Sequence, residues 1–458
     1  MNQVNSNPLG VEPINRLLVR FAVPSIIAMM VSALYNMVDQ FFIGHSVGML
    51  GNAATNVAFP LTIVCTAASL LFGIGGAANF NLSMGQGKID RAKRYVGNAI
   101  FLMLFTGILL CVFSRIFLKP MLILFGATND VLGYSMTYTG ISSLGFPFLI
   151  LTTGGSALIR ADGSPRFSMF CTLVGCVINL VLDPLFIFGL DMGMAGAALA
   201  TIIGQIISAI MVGWYLTRFK TVTLTWKELI PGGKYCFRII SLGMSPFLNQ
   251  VAMMVVQIVM NNVLIIYGGQ SSYGSEIPLA CAGIISKVSM IFFSMVIGIS
   301  QGSQPIVSYN YGAGNYHRVK ETYWKAAAAA TAISIVSFLC YQLFPEQIIR
   351  AFGSGSEEYY QFAVRYFRIF LFFTFLNGIQ PLTGNFFTSI GKAPKGVFIS
   401  LTRQIIFLLP LILILPVFLG IDGVLYSAPI ADFIAAVFAI SLVILEMRKM
   451  DQMSQKAM

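Results

Sequence analysis

Long apolar stretches alternate with short polar connections along the whole chain. A run of about 20 apolar residues is long enough for a helix to cross the hydrocarbon core of a bilayer. The strands of a membrane barrel would instead alternate polar and apolar residues, and these runs show no such alternation. The pattern therefore predicts an all-α polytopic membrane protein with twelve transmembrane helices. The predicted helices cover residues 17–44, 53–82, 96–118, 131–157, 167–189, 194–217, 238–268, 279–308, 324–345, 362–388, 397–419 and 423–446.

The composition supports this interpretation. Of the 458 residues, 57% are hydrophobic and 10% are charged, whereas a soluble domain carries about 25% charged residues. The seven cysteines form no CxxC motif and mostly fall inside apolar runs, and the two histidines stand alone. We therefore expect the cysteines to be packing residues, and we expect neither a metal site nor a cofactor.

The basic residues predict the orientation of the chain. Most of the 28 Lys and Arg residues lie in the connections on one side of the predicted helices, the side that also carries both termini. Cytoplasmic connections are enriched in Lys and Arg. We therefore expect a multi-pass protein of the cell inner (plasma) membrane with both termini cytoplasmic. The net charge of +11 then reflects insertion into the membrane and does not indicate nucleic-acid binding.

A repeated motif divides the chain into two halves. GGAANFNLSMGQGKIDRAK begins at Gly75, GSQPIVSYNYGAGNYHRVK begins at Gly302, and both fit G-x9-G-x-G-x3-R-x-K. Internal repeats of this kind are common in transporters. The repeat predicts an N-terminal lobe over 1–217, a cytoplasmic linker over 218–237 and a C-terminal lobe over 238–458. The two lobes would be pseudo-symmetric, with six helices each.

Ionisable residues inside membrane helices are costly and are usually functional. Five of them fall clearly inside the predicted helices, namely Asp39, Asp183, Lys287, Arg403 and Asp432.

Asp183 belongs to a polar patch in the fifth run. Asn179 lies four residues earlier and so on the same helical face, and Pro184 leaves the Leu180 carbonyl without its usual donor. Carboxylate, amide and carbonyl oxygens in one patch suit a hard monovalent cation or a proton relay, to which Thr201 of the sixth run adds a hydroxyl. The alternative is that Asp183 and Asn179 form structural hydrogen bonds between helices.

The first run has a polar stripe of its own. Tyr35, Asn36 and Asp39 lie close together on an otherwise apolar helix, and Pro24 lies about four turns before Asp39, where the helix can bend. The stripe is either part of a functional site or a buried structural contact.

The C-terminal half differs in charge. Lys287, Arg403 and Asp432 are expected to form a buried charge pair or a small cluster, with a structural or a functional role. The seventh run has Gln257 and Asn261 where the first run has its Asp. The N-terminal half is therefore the better candidate for ion coupling.

Together these motifs resemble the multidrug and toxic compound extrusion (MATE) transporters, and local sequences resemble the DinF- and MepA-like bacterial branch. The resemblance rests on N-x2-D-x3-I-G at Asn36–Gly44, N-L-V-L-D-P-L-F-I at Asn179–Ile187 and the two glycine motifs, and it spans residues 15–445. The NorM-like branch carries a glutamate in its seventh helix, which this chain lacks.

The resemblance implies a non-enzymatic secondary antiporter, expected as a monomer in the lipid bilayer. It would export cationic or amphipathic small molecules in exchange for H⁺ or Na⁺ by alternating access. The implied coupling site comprises Asp39, Asn179, Asp183 and Thr201. The residues assigned to the substrate cavity or to gating are Pro24, Tyr35, Asn36, Gln257 and Asn261.

Two other functions remain open. One is a flippase for lipid-linked oligosaccharides, which would be expected to line its cavity with several basic residues. Lys287 and Arg403 are the only basic residues assigned to the interior of the predicted helices, and the others are assigned to the connections and helix ends. The other is an exporter dedicated to one natural product. A membrane enzyme is disfavoured because the helices contain no constellation of catalytic residues.

Overall fold

The computed structural model describes residues 7–457, and these residues form an all-helical bundle. Twelve helices are long and apolar enough to cross a membrane, which confirms the number and order of the predicted helices. They are labelled in chain order α1 (Ile14–Ser46), α2 (Met49–Gly85), α3 (Ile89–Ile116), α4 (Asn129–Ala161), α5 (Pro165–Gly189), α6 (Gly193–Leu216), α7 (Gly233–Gly269), α8 (Glu276–Gly312), α9 (Tyr316–Leu343), α10 (Glu357–Ser389), α11 (Ala393–Leu419) and α12 (Ile421–Ala457).

Four of these helices are irregular at matching places in the two lobes. A 3₁₀ turn divides α4, and a 3₁₀ turn with flanking turns divides α10. A π-helical turn ends α5 directly after Pro184, and another lies in α11 just before Pro410. A proline without an N–H breaks the regular hydrogen-bond ladder, which accounts for both π turns. Three short helices lie outside the twelve: Pro8–Val11, Leu118–Leu124 and Pro345–Phe352.

The two lobes approach most closely at the end of the bundle that carries the N- and C-terminal ends of the described chain. There α1 packs against α8 and α2 against α7. Gly298 and Gly302 of α8 form a G-x3-G pair facing α1. A Cβ on Gly302 would lie 2.5 Å from the Cα of Ala22, and one on Gly298 would lie 2.6 Å from the Cα of Ile26. Small residues at this spacing allow two helix backbones to touch.

The repeated glycine motif provides most of this close packing. At its first two glycines in each lobe, an added Cβ would lie only 2.1 to 2.5 Å from a backbone atom of the opposite lobe. These four residues are Gly75, Gly85, Gly302 and Gly312. The third glycines, Gly87 and Gly314, follow the helix ends with φ of +73° and +77°, which L-residues rarely adopt. The repeat is therefore a packing motif between the lobes followed by a helix stop.

Polar contacts reinforce the closure at this end. Arg160 of α4 is buried, and its guanidinium donates across the lobe boundary to Gln301 Oε1 of α8 at 3.0 Å. The short helix Pro8–Val11 is held by the other lobe. Asn310 and Arg318 both donate to the carbonyl of Leu9, at 2.9 and 3.1 Å.

Candidate functional site

Asp39 of α1 and Asp183 of α5 lie side by side inside the N-terminal lobe. Asp39 is 5% exposed and Asp183 is fully buried, and their carboxyl groups are within hydrogen-bonding range of each other. Each carboxyl has one oxygen, Oδ1, with no hydrogen-bond partner in the part of the chain that the structure describes. No Lys or Arg among residues 7–457 forms an ion pair with either.

Asn179 bridges Asp183 to α6. The Asn179 amide nitrogen donates to Asp183 Oδ2 at 2.7 Å. The amide oxygen accepts from Thr201 Oγ1 at 3.1 Å and from the Thr201 N–H at 2.9 Å. This orientation follows from the hydrogen-bond network, because the reverse one sets the amide oxygen against an ionised carboxylate. In the reverse orientation, the Asn179 nitrogen donates to Thr201 Oγ1 at 3.1 Å. The structure therefore brings together all four residues of the predicted coupling site.

Two tyrosines complete this pocket. Tyr35 of α1 lies beside Thr201 and near both carboxylates. Tyr138 of α4 also lies near Asp39 and Asp183. Tyr138 was not predicted from the sequence, although it lies in a hydroxyl-rich stretch, YSMTYT over 134–139, of an otherwise apolar run.

The three residues of the predicted stripe on α1 differ in burial. Tyr35 and Asp39 turn toward the pocket, whereas Asn36 is exposed and donates to the Ser32 carbonyl at 2.8 Å. Leu34 is an exposed apolar residue, as expected on the lipid-facing side of α1. At 3.6 residues per turn, Asn36 points to the opposite side of the helix from Leu34 and therefore away from lipid.

Pro24 lies inside α1, which continues as one helix on both sides of it. Since proline has no N–H, the Arg20 carbonyl loses its intrahelical donor. Pro24 also falls between the two α1 positions, Ala22 and Ile26, that touch the glycines of α8.

The corresponding part of the C-terminal lobe is polar but uncharged. Gln257 of α7 donates to Asn261 Oδ1 at 3.0 Å and accepts from Ser286 of α8 at 3.3 Å. These contacts join Gln257 and Asn261 to each other and not to the carboxylates of the N-terminal lobe.

Lys287, Arg403 and Asp432 were predicted to form a buried charge pair or a small cluster, and two of them, Arg403 and Asp432, form a pair. Arg403 Nε donates to Asp432 Oδ1 at 2.5 Å, and Asn377 donates to the other carboxylate oxygen at 3.0 Å. Lys287 is exposed and forms no ion pair with another described residue. The helical register of α8 turns Lys287 away from the pair, a rotation that spacing along the sequence does not reveal.

The pocket is suited to a monovalent cation or a proton. Two buried carboxylates in contact repel each other when both are ionised, so a shared proton or a bound cation relieves the repulsion. The oxygens of Asn179, Thr201 and the tyrosines add neutral ligands of the hard type.

The comparisons with known proteins agree with this architecture. The MatE family model matches residues 24–185 and 249–414, one block in each lobe. The chain is 26% identical over 427 residues to the multidrug export protein MepA of Staphylococcus haemolyticus, covering 93% of this chain and 92% of that protein. It is 23% identical over 435 residues to MepA of Staphylococcus aureus strain MSSA476, covering 95% and 94%.

The fold also matches a solved structure. A multidrug resistance MATE family transporter of the MOP superfamily, in an outward-facing conformation, superposes with a TM-score of 0.89 at 21% identity. The match covers 97% of this chain and 98% of that one. The chain therefore belongs to the MatE family of multidrug efflux transporters, and it is a transporter rather than an enzyme.

Proposed function

We propose that the protein is a secondary antiporter that exchanges cationic or amphipathic compounds for H⁺ or Na⁺ by alternating access. The observation that carries the proposal is the contact between the buried carboxyl groups of Asp39 and Asp183, with no basic partner among the described residues. Such a pair stores negative charge that a coupling ion neutralises. The protein is further proposed to act as a monomer in the plasma membrane, with both termini in the cytoplasm.

In this scheme the two lobes, joined by the 218–237 linker, rock about a cavity between them. Closure at the end that carries the termini corresponds to an outward-facing state when those termini are cytoplasmic. The coupling ion then reaches Asp39 and Asp183 from outside, driven by about 2.3 kcal/mol per charge for each 100 mV of membrane potential. Asn36, Gln257 and Asn261 are proposed to line the cavity.

Asn179 gives the site a way to respond to a proton. An ionised Asp183 accepts from the amide nitrogen, whereas a protonated Asp183 donates to the amide oxygen. The amide then turns over, so that its nitrogen takes the place of the oxygen 3.1 Å from Thr201 Oγ1 and donates to it. Ion binding would thereby change the contact between α5 and α6.

Pro24 is the proposed site where α1 bends in response. Loss of negative charge at Asp39 weakens the hold of the pocket on the outer half of α1. The Arg20 carbonyl, already without a donor, makes the helix easiest to bend near Pro24. A bend there would narrow the cavity of the N-terminal lobe and displace the drug.

The test compares Asp39→Asn and Asp183→Asn with Asp191→Asn, an exposed carboxylate of the same lobe. Ethidium efflux is measured after energisation in a strain that lacks its own exporters. Both pocket variants are expected to lose energised efflux, while Asp191→Asn retains it. Normal efflux in both pocket variants would overturn the proposed coupling role.

A second experiment identifies the ion. Purified protein in proteoliposomes is given a proton gradient or, separately, a sodium gradient, and drug movement is followed. Efflux under one gradient alone names the coupling ion, and efflux that needs neither gradient contradicts the antiport proposal.

A further inference from the structure

The connection between α6 and α7 and the first residues of α7 together carry five basic residues, and all five side chains are exposed. Among the described residues, no Asp or Glu forms an ion pair with any of them. They are Arg218, Lys220, Lys227, Lys234 and Arg238. Elsewhere at this end of the bundle, lysines such as Lys320 and Lys392 are paired with acidic side chains. This connection therefore displays positive charge that the protein itself leaves uncompensated.

Large apolar side chains accompany these charges. Trp226 is 87% exposed, Phe237 is 72% exposed and Ile230 is 60% exposed. The connection begins where α6 ends at Leu216 and stops where α7 begins at Gly233. It therefore lies at the level where the helices leave the bilayer, a layer in which exposed tryptophan is favoured.

The connection is folded against the N-terminal lobe and does not hang free. Asp162 accepts from the backbone N–H groups of Lys220 and Thr221, at 2.7 and 3.0 Å. Asn98 of α3 donates to the Glu228 carbonyl at 3.1 Å and accepts from the Gly232 N–H at 2.7 Å. These bonds fix the backbone, so the basic and apolar side chains keep a defined arrangement.

The single acidic residue of the connection is already engaged. The Glu228 carboxylate accepts from the N–H and the hydroxyl of Thr225, at 2.7 and 2.5 Å. It bonds inside the connection and does not pair with the lysines beside it. The surface therefore fits a partner that offers both anionic oxygens and hydrocarbon.

We propose that residues 218–238 form a binding surface for anionic phospholipids of the membrane leaflet next to the termini. The basic side chains contact the lipid phosphates, while Trp226, Ile230 and Phe237 insert among the glycerol and upper acyl groups. Basic segments beside transmembrane helices attract anionic lipids in this way, and an anionic lipid is the one component of a bilayer that satisfies both halves of the surface. This site is independent of the coupling mechanism proposed for Asp39 and Asp183.

The experiment uses Trp226 as the probe. The chain has three tryptophans, so the double variant Trp214→Phe/Trp324→Phe leaves Trp226 as the only one. The full-length protein is reconstituted in vesicles of phosphatidylcholine and phosphatidylglycerol at one fixed ratio. In separate samples, bromine is placed on the acyl chains of one lipid or of the other. Bromine quenches tryptophan fluorescence on contact, so the comparison reports which lipid lies beside Trp226.

Brominated phosphatidylglycerol is expected to quench Trp226 several-fold more, per mole fraction, than brominated phosphatidylcholine. The preference should disappear in Lys227→Gln/Lys234→Gln/Arg238→Gln. It should persist in the control Arg448→Gln/Lys449→Gln, which removes exposed basic residues at the same end of the bundle.

The proposal would be overturned if neither brominated lipid quenched Trp226, or if quenching followed the mole fraction of each lipid without preference. It would also be overturned if the preference for phosphatidylglycerol were unchanged in Lys227→Gln/Lys234→Gln/Arg238→Gln. If the single-tryptophan protein does not fold, the same measurement is made as the difference between the unsubstituted protein and Trp226→Phe. That difference isolates the same fluorescence with only one residue changed.

Discussion

The close packing of α8 on α1 makes Gly302→Ala a sensitive probe of the closed state. A Cβ on Gly302 would lie 2.5 Å from the Cα and 2.7 Å from the N of Ala22. Ordinary contacts of a Cβ are 3.4–4 Å, so the two helices must separate by about 1 Å. The obstructing atoms belong to the backbone and cannot rotate away.

The size of the effect follows from overpacking. Inserting a methyl group into a tight contact typically costs about 1–3 kcal/mol. The gain in helix propensity from Gly to Ala, about 1 kcal/mol, is present whether the lobes are closed or open at this end, so it cancels. The substitution should therefore shift the equilibrium away from closure by about 5- to 150-fold.

The assay measures distances between spin labels attached at Lys88 and Asn315, which follow α2 and α8 at the closed end, in a background without other cysteines. Gly302→Ala should increase the population with a longer distance and should slow drug efflux. Gly283→Ala is the matched control, because it lies on the same helix and its added Cβ would meet nothing within 4 Å.

A second substitution tests whether the methyl group of Gly302→Ala clashes with the backbone of Ala22. Ala22→Gly removes the Ala22 side chain but keeps the Cα and N that obstruct the new methyl group. It should therefore fail to restore closure in Gly302→Ala. Rescue by Ala22→Gly, or an unchanged distance distribution in Gly302→Ala, would refute the packing argument.

Other contacts give further expectations. Asp432→Ala removes the partner of Arg403, whose side chain is 12% exposed, and should lower stability in detergent by about 3–5 kcal/mol. Asp422→Ala, in a half-exposed pair, should lower it by about 1 kcal/mol or less, and equal losses would contradict this reasoning. Gln301→Leu leaves the guanidinium of Arg160 without its partner across the lobe boundary and should favour opening at that end, as seen by cysteine accessibility. Unchanged accessibility would show that the bond does not contribute to closure. Asn98→Ala should increase trypsin cleavage in the linker between α6 and α7, whereas an unchanged cleavage rate would mean that other contacts hold the linker.

The sequence was sufficient to predict where the membrane helices lie, but not how each helix is rotated about its own axis. Length and apolarity identify a membrane helix without knowledge of its neighbours, and all twelve were predicted. The direction in which each side chain points depends on packing between helices. For that reason the exposure of Asn36 beside the buried Asp39, and of Lys287 apart from the Arg403–Asp432 pair, was not predicted.

The site itself was predictable where charge made it visible. Asp39 and Asp183 stood out because carboxylates are costly in a membrane helix. Tyr138 did not, because a tyrosine in an apolar run usually only packs. The glycine motif was recognised as a repeat, but its role in packing depends on which helices from the two lobes meet, and one chain read alone does not reveal that.

The helix Pro8–Val11 has a consequence for synthesis of the chain. Leu9 is bonded by Asn310, 301 residues later in the sequence. At about 5–20 residues per second, that partner is made about 15–60 s after Leu9. During this time the Leu9 carbonyl lacks its donor from α8. Residues 8–11 therefore reach their native position late, and their docking on Asn310 belongs to the completion of the contact between the two lobes.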